Sequence, residues 1–370
     1  MSEFTPNPAR GKEVFDLDRK HVFHSWSAQS QISPLPVATG QGSYFWDFDG
    51  NKYLDFSCQL VFTNIGFQHP KVIEAIKKQA DLLSTVAPQV ANEARGEAAK
   101  RIVELASPRH EKVFFTNGGA DGVENAIRMG RLHTNRHKIL SFYRSYHGNT
   151  TTAISATGDP RRWPNEFAYG HVHFFGPYAY RSAFWSKSEE EECQRALEHL
   201  ESVITFEGPQ TIAAILIESV VGTAGVLIPP AGYLEGVRAL CDKYGILWIA
   251  DEVMSGFGRT GKWFAYQHSS AEPDLIVFAK GVNSGYVPLG GVVISQAVSQ
   301  TFNDRVFPGG LTYSGHPLAC AAAVATIDVM KEEKIVEHAA TMGERIIGPG
   351  LRALAEKHPV IGEVRGLGVF

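Results

Sequence analysis

The sequence predicts an α/β fold: a mostly parallel central sheet with helices on both faces, accompanied by a smaller lobe. Three observations predict it. From Pro70 onward short apolar runs alternate with helical patterns, which is the order that builds parallel sheets covered on both sides. Polar residues of chemical interest stand directly after several of those runs, where open parallel sheets bind ligands. The 370 residues also exceed one simple module, so a large domain and a smaller one are expected.

Taken in order, residues 40–66 hold two short aromatic-rich strand patterns joined at Asp49-Gly50-Asn51, a hairpin turn signal, and form a small antiparallel lobe. Helical patterns follow near 70–83, 92–106 and 120–134, with a strand at Lys112–Phe115 between the last two. Further strands are expected at Lys138–Phe142, Ile212–Ile217, Gly245–Ala250 and Leu275–Ala279, and further helices at 188–205 and 231–243. Ser188 and Glu191 make a capping box, so the acidic run Glu189–Glu192 reads as a solvated first turn. After Gly315 a long Ala-rich helix is expected, then a helical pattern near 333–356. The sequence closes on GEVRGLGVF, which reads as the start of a strand and suggests further residues beyond Phe370.

Composition excludes several functions. A hydrophobic share of 44% and a charged share of 20% are those of a folded globular protein. A net charge of -4 gives no basic footprint for nucleic acid. The four cysteines, Cys58, Cys193, Cys241 and Cys320, lack metal or disulfide spacing and fit free thiols in the cytoplasm. The first residues are polar and carry no export signal. The longest apolar run, Ile212 to Ile228, contains Glu218 and glycines and is no membrane span. His171 with His173, and His133 with His137 on a helix, have metal-like spacing but no third ligand nearby, so no metal is expected.

The chemistry gathers at strand ends. The run Ile246–Ala250 leads directly into Asp251, and the run Leu275–Ala279 into Lys280. Burial at a strand mouth lowers the basicity of a lysine and makes its amine a nucleophile toward carbonyls. A carboxylate at the neighbouring strand end holds a pyridine nitrogen protonated, which makes that ring an electron sink. Either residue alone is an ordinary surface ion-pair partner; their shared context favours chemistry. The segment Thr116-Asn117-Gly118-Gly119-Ala120 lies between a strand and a helix, where glycines admit an anion to the helix N-terminus. It lacks G-x-G-x-x-G, and no GK[ST] triplet occurs, so a small phosphorylated cofactor fits better than a nucleotide.

These residues resemble the class III (omega-amino) pyridoxal-phosphate-dependent aminotransferases across essentially the whole chain. The most specific segments are WIADEVMSGFGRTG at 248–261 and DLIVFAKGVNSG at 274–285. The resemblance implies a fold-type I transferase whose small α+β lobe comes from the chain termini: residues 1–66 and 326–370 flank a cofactor-binding domain at 67–325. It implies Lys280 as the Schiff-base lysine, Asp251 on the pyridine nitrogen and Val253 on one ring face. NGGADGVENAIR implies Gly118, Gly119 and Ala120 as phosphate donors, and SYHGNT implies Tyr146, stacked on the ring, and His147 as cofactor contacts. LTYSGHP implies that Thr312 reaches the neighbouring subunit's phosphate, hence a homodimer with shared sites. Glu218 matches a pocket glutamate that pairs with a mobile arginine.

Departures bear on substrate. Asn149 replaces the arginine of a Tyr-His-Gly-Arg segment found in relatives acting on ornithine or 4-aminobutyrate, and Val61 stands where amine-pyruvate relatives carry tryptophan. Arg161 and Arg162 suit an anionic head such as sulfonate, or else the surface. The family's arginine for the 2-oxo acid carboxylate falls beyond Phe370. The expected function is therefore transfer of an amino group from taurine, β-alanine or a similar donor to pyruvate or 2-oxoglutarate. A decarboxylase, an aminomutase and a catalytically silent binding protein of the same fold are the alternatives.

Overall fold

A computed structural model describes residues 4–370. Its centre is a seven-stranded sheet in the order β4-β10-β9-β8-β7-β5-β6, where β4 is His110–Thr116, β5 Lys138–Phe142, β6 His171–Phe174, β7 Ile212–Glu218, β8 Leu247–Asp251, β9 Leu275–Phe278 and β10 Gly290–Ser295. From β6 through β9 every pairing is parallel, and only β10 runs against its neighbours. Every residue of β7, β8, β9 and β10 is buried, as strands covered on both faces require.

Alternation along these strands divides the core. On one face Leu216, Ile249, Val277 and Val292 meet Val123 and Ile127 of the helix Gly119–Thr134. On the other, Ile215, Trp248 and Ile276 meet Leu200, Val237 and Ile327, from the helices Glu189–Glu207, Tyr233–Tyr244 and Pro317–Glu332. Successive side chains point to opposite faces of a strand, so one run of apolar residues serves both layers. The helix at 189 starts as expected, with Ser188 accepting from the Glu191 amide, but its acidic first turn is not wholly solvated: Glu192 is buried and accepts from the Tyr178 amide at 2.7 Å.

The smaller antiparallel sheet joins β1 (Val37–Gln41), β2 (Tyr44–Asp47) and β3 (Lys52–Leu54). Asp47 fixes its turn by accepting from the Asp49 and Asn51 amides and from Tyr53 Oη. Among the described residues no helix is long and apolar enough to cross a membrane.

One strand was not foreseen, and three local expectations need correction. Strand β10 has no clear sequence signal because it opens on Gly290 and Gly291, yet only glycine fits there: a Cβ on Gly291 would lie 2.8 Å from the Phe114 carbonyl. The helical pattern at 333–356 divides at Gly343–Ile347, with Gly348 and Pro349 opening the next helix. Residues 358–370 form no strand, although Val369 donates its amide to the Arg259 carbonyl. His133 and His137 do not share a helix, which ends at Thr134 with Asn135 in the left-handed region; His133 instead bonds Thr301.

Candidate active site

The strand order carries the site. Because β9, β8, β7 and β5 are adjacent, their carboxyl ends set Lys280, Asp251, Glu218 and the segment Tyr146-His147 side by side. Glu218 and Asp251 are register partners, and Asp251 is also paired with Val277. Together with Gly118, Gly119, Ala120 and Val253 they line one cavity of about 550 Å³, a size suited to a cofactor and a small substrate. Nine of the ten predicted site residues are thus brought together. Thr312 is the exception: it is exposed and lies outside this cavity.

At one end, the helix Gly119–Thr134 begins at Gly118 with no side-chain cap, so its first amides are left for an anion. Thr116 Oγ1 donates to the Gly118 carbonyl at 2.8 Å and fixes the approach. A Cβ on Gly118 would meet nothing within 4 Å, so the glycine is open toward the cavity. Gly119 differs, since its Cβ would press on Val253 at 2.9 Å.

At the centre, Asp251 is buried and accepts from His147 Nδ1 at 2.7 Å and from the Val253 amide at 3.0 Å. The next residue, Glu252, has a buried carboxylate that accepts from Ser255 Oγ and from the Ala265 and Tyr266 amides, each at 2.8 Å. It closes the base of the loop that presents Val253 and Met254 to the cavity. Burial pushes its carboxyl pKa up.

Lys280 follows β9 in the left-handed region at φ +46, an uncommon conformation for a residue with a Cβ. Burial lowers the basicity of its amine, and Asp251 and Glu218 partly restore it. Glu218 is not paired with an arginine: its two oxygens accept from the Tyr146 amide at 3.0 Å and the Gly222 amide at 2.8 Å. Burial, reinforced by the Asp251 charge and opposed by His147, pushes its pKa up to about 7.

Tyr146 walls the cavity with the Arg161 guanidinium 3.7 Å from its ring centroid and Trp26 edge-on at 6.5 Å. Phe62, rather than the expected Val61, faces the cavity. Trp26, Phe62 and Thr223 are lining residues that the sequence did not reveal, because no motif or strand end marks them; Met254, within the 248–261 motif, lines the cavity as well. Among the described residues no group of three His, Cys, Asp or Glu side chains is arranged to hold a metal.

An anion cradle, a buried carboxylate, two flanking side chains and a lysine in one cavity fit a phosphorylated pyridine aldehyde. Comparison with known proteins decides the family. Residues 26–370 match the model of the class III aminotransferases. The chain belongs to this family. It is a pyridoxal-phosphate-dependent aminotransferase.

Taurine–pyruvate aminotransferase of Bilophila wadsworthia is 35% identical over 373 residues, spanning 97% of this chain and 81% of the relative. The enzyme of the same description from Rhodobacter capsulatus is 35% identical over 383 residues, spanning 99% and 82%. Among solved structures, taurine:2-oxoglutarate aminotransferase from Bifidobacterium kashiwanohense, in complex with pyridoxal phosphate and glutamate, superposes with a TM-score of 0.94 at 48% identity, covering 100% of this chain and 82% of that one. An (S)-enantioselective omega-transaminase from Thermomicrobium roseum gives 0.92 at 39% identity, covering 99% and 83%.

Proposed function

We propose that Lys280 is the residue that holds pyridoxal phosphate, and that this aminotransferase moves the amino group of an omega-amino acid, taurine or β-alanine, to pyruvate or 2-oxoglutarate. The observation that carries the reading is the single cavity that Lys280, the Asp251–His147 pair and the Gly118–Ala120 amides share. When bound, the cofactor supplies an electron sink for the pair left at the donor carbon.

Each residue then has a task. The Gly118, Gly119 and Ala120 amides bind the phosphate at the positive end of their helix. Asp251, oriented by His147, keeps the pyridine nitrogen protonated. Tyr146 and Val253 flank the ring. With the donor bound, Lys280 Nζ would take a proton from the donor carbon in one half-reaction and give one to the corresponding carbon of the acceptor in the other. Burial lowers the basicity of that amine.

The donor's acidic end is assigned to Arg161. Asp159 holds its Nε–Nη2 edge, while the guanidinium rests on Tyr146, a wall of the cavity. Guanidinium suits sulfonate and carboxylate alike, and the likeness to taurine aminotransferases supports the choice.

In this reading residues 67–325 form the cofactor domain, with 1–66 and 326–370 contributing to the small one. Exposed Thr312 serves the partner's phosphate in a homodimer. The four free cysteines support a reducing compartment, the cytoplasm.

The test is the visible absorption of the loaded protein before and after adding taurine, β-alanine, 4-aminobutyrate or alanine. The reading expects taurine or β-alanine to bleach the band. A band that neither changes, but 4-aminobutyrate does, would overturn the donor assignment.

A further inference from the structure

Arg259 is a buried guanidinium for which the reaction described above has no task. Only 8% of its surface is exposed. Among the described residues no carboxylate pairs with it, and its Nε has no hydrogen-bond partner. Its contacts are neutral: Nη2 donates to Asn64 Oδ1 at 2.5 Å, and Nη1 lies 3.5 Å from Cys58 Sγ. A buried cation without an acid is costly, and side chains of this kind are seldom fully buried without a counter-charge.

Asn64 shows what the cation is fastened to. Its Nδ2 donates to the Phe257 carbonyl at 2.7 Å, which ties the lobe segment to the loop after Asp251. The same amide group packs closely against Gly281, the residue after Lys280, where an added Cβ would meet Asn64 Cγ at 3.1 Å and Phe257 Cβ at 3.0 Å. Next to Asn64, the Ile65 amide donates to Ser284 Oγ at 3.2 Å, at the far end of the same turn. The turn that holds Lys280 in its left-handed conformation is therefore backed by Asn64, and Asn64 is backed by Arg259.

We propose that Arg259 is a positioning residue that acts through Lys280: its acid-free guanidinium, mounted on Asn64 behind the turn, offsets the negative charge of Asp251 and Glu218 at the lysine nitrogen. The charged groups that act on the lysine are Asp251 from β8, Glu218 from β7, Arg161 from the Asp159–Arg162 turn and Arg259 from the loop after β8. Burial is the main reason that the lysine's basicity is lowered; the two carboxylates oppose it by favouring a protonated nitrogen, and the two guanidiniums add to it. Asn64 is the means of mounting a cation there without a carboxylate that would cancel it.

The proposal rests on Lys280 being the cofactor's lysine, and the test separates the two claims. The pH midpoint of the visible absorption band is read in the loaded wild type and in Arg259→Gln, Arg259→Lys and Asn64→Asp, alongside cofactor retention and thermal stability. Arg259→Gln removes the cation; Asn64→Asp keeps the shape and cancels it. Both are expected to raise the midpoint by about one pH unit, the scale of a nearby charge. Arg259→Lys is expected to stay within ~0.3 units of wild type because the charge remains. A purely structural role would lower stability and retention without moving the midpoint. The proposal is overturned if either charge-cancelling variant that retains the band keeps the wild-type midpoint, or if Arg259→Lys moves as far as Arg259→Gln. A wild type without the band would overturn the assignment of Lys280 itself, and this inference with it.

Discussion

His147 Nδ1 lies 2.7 Å from Asp251 Oδ2, with both side chains sealed from solvent. The carboxylate accepts, so the imidazole proton on this bond sits at Nδ1, while Nε2 has no partner. Asp251 is thereby oriented and kept ready for a cation in the cavity. Asp251→Asn is expected to lower kcat by about a thousandfold or more, equivalent to roughly 4 kcal/mol of barrier. His147→Asn, which disturbs only the orientation, should cost about tenfold. Steady-state rates with a saturating donor distinguish them; equal losses would place the two residues in the same role.

Gly119 and Val253 form the second close relationship, because a Cβ at 119 would approach Val253 Cγ2 at 2.9 Å and Cγ1 at 3.0 Å. The valine is branched and stiff, so Gly119→Ala drives it toward the ring position. The expected result is cofactor affinity weakened about tenfold, roughly 1.4 kcal/mol, by equilibrium dialysis. Gly118→Ala, with open space around it, should leave the apo protein's Tm unchanged.

Glu218 sets a pH dependence whose sign follows from its raised pKa of about 7. The folded protein binds this proton more tightly than the unfolded chain. Its contribution to stability is therefore present below the ordinary carboxyl value and is lost as pH rises through about 7. Raising pH from about 5 to about 8 should lower the apo Tm of the wild type more than that of Glu218→Gln, by roughly 2–4 °C. Parallel Tm curves would contradict the assignment.

Much of this was legible in the sequence because parallel strands announce themselves. Apolar runs ending at Asp251 and Lys280, and a glycine pair before a helix, are local patterns that place a polar group at a sheet mouth. What was not legible depends on strand order. His147 and Asp251 stand 104 residues apart and meet only because β5, β7 and β8 are neighbours. Asn64 and Arg259 stand 195 residues apart, and Trp26 and Phe62 enter the cavity from irregular segments with no periodicity to read. Strand β10 was hidden by the glycines that its close packing requires.

Arg161 is the group on which donor choice turns. Arg161→Met should raise KM for taurine by about a hundredfold, the scale of a lost charge-assisted bond near 3 kcal/mol, and leave KM for an uncharged amine within about twofold. Parallel losses for both donors would assign Arg161 to holding Tyr146 instead.

The most direct test of the central claim is to reduce the loaded enzyme with borohydride, digest it and locate the cofactor's mass on the chain. The label is expected on the peptide containing Lys280, with no visible band and no turnover in Lys280→Ala. A label on another lysine, or a Lys280→Ala protein that still turns over taurine, would contradict it.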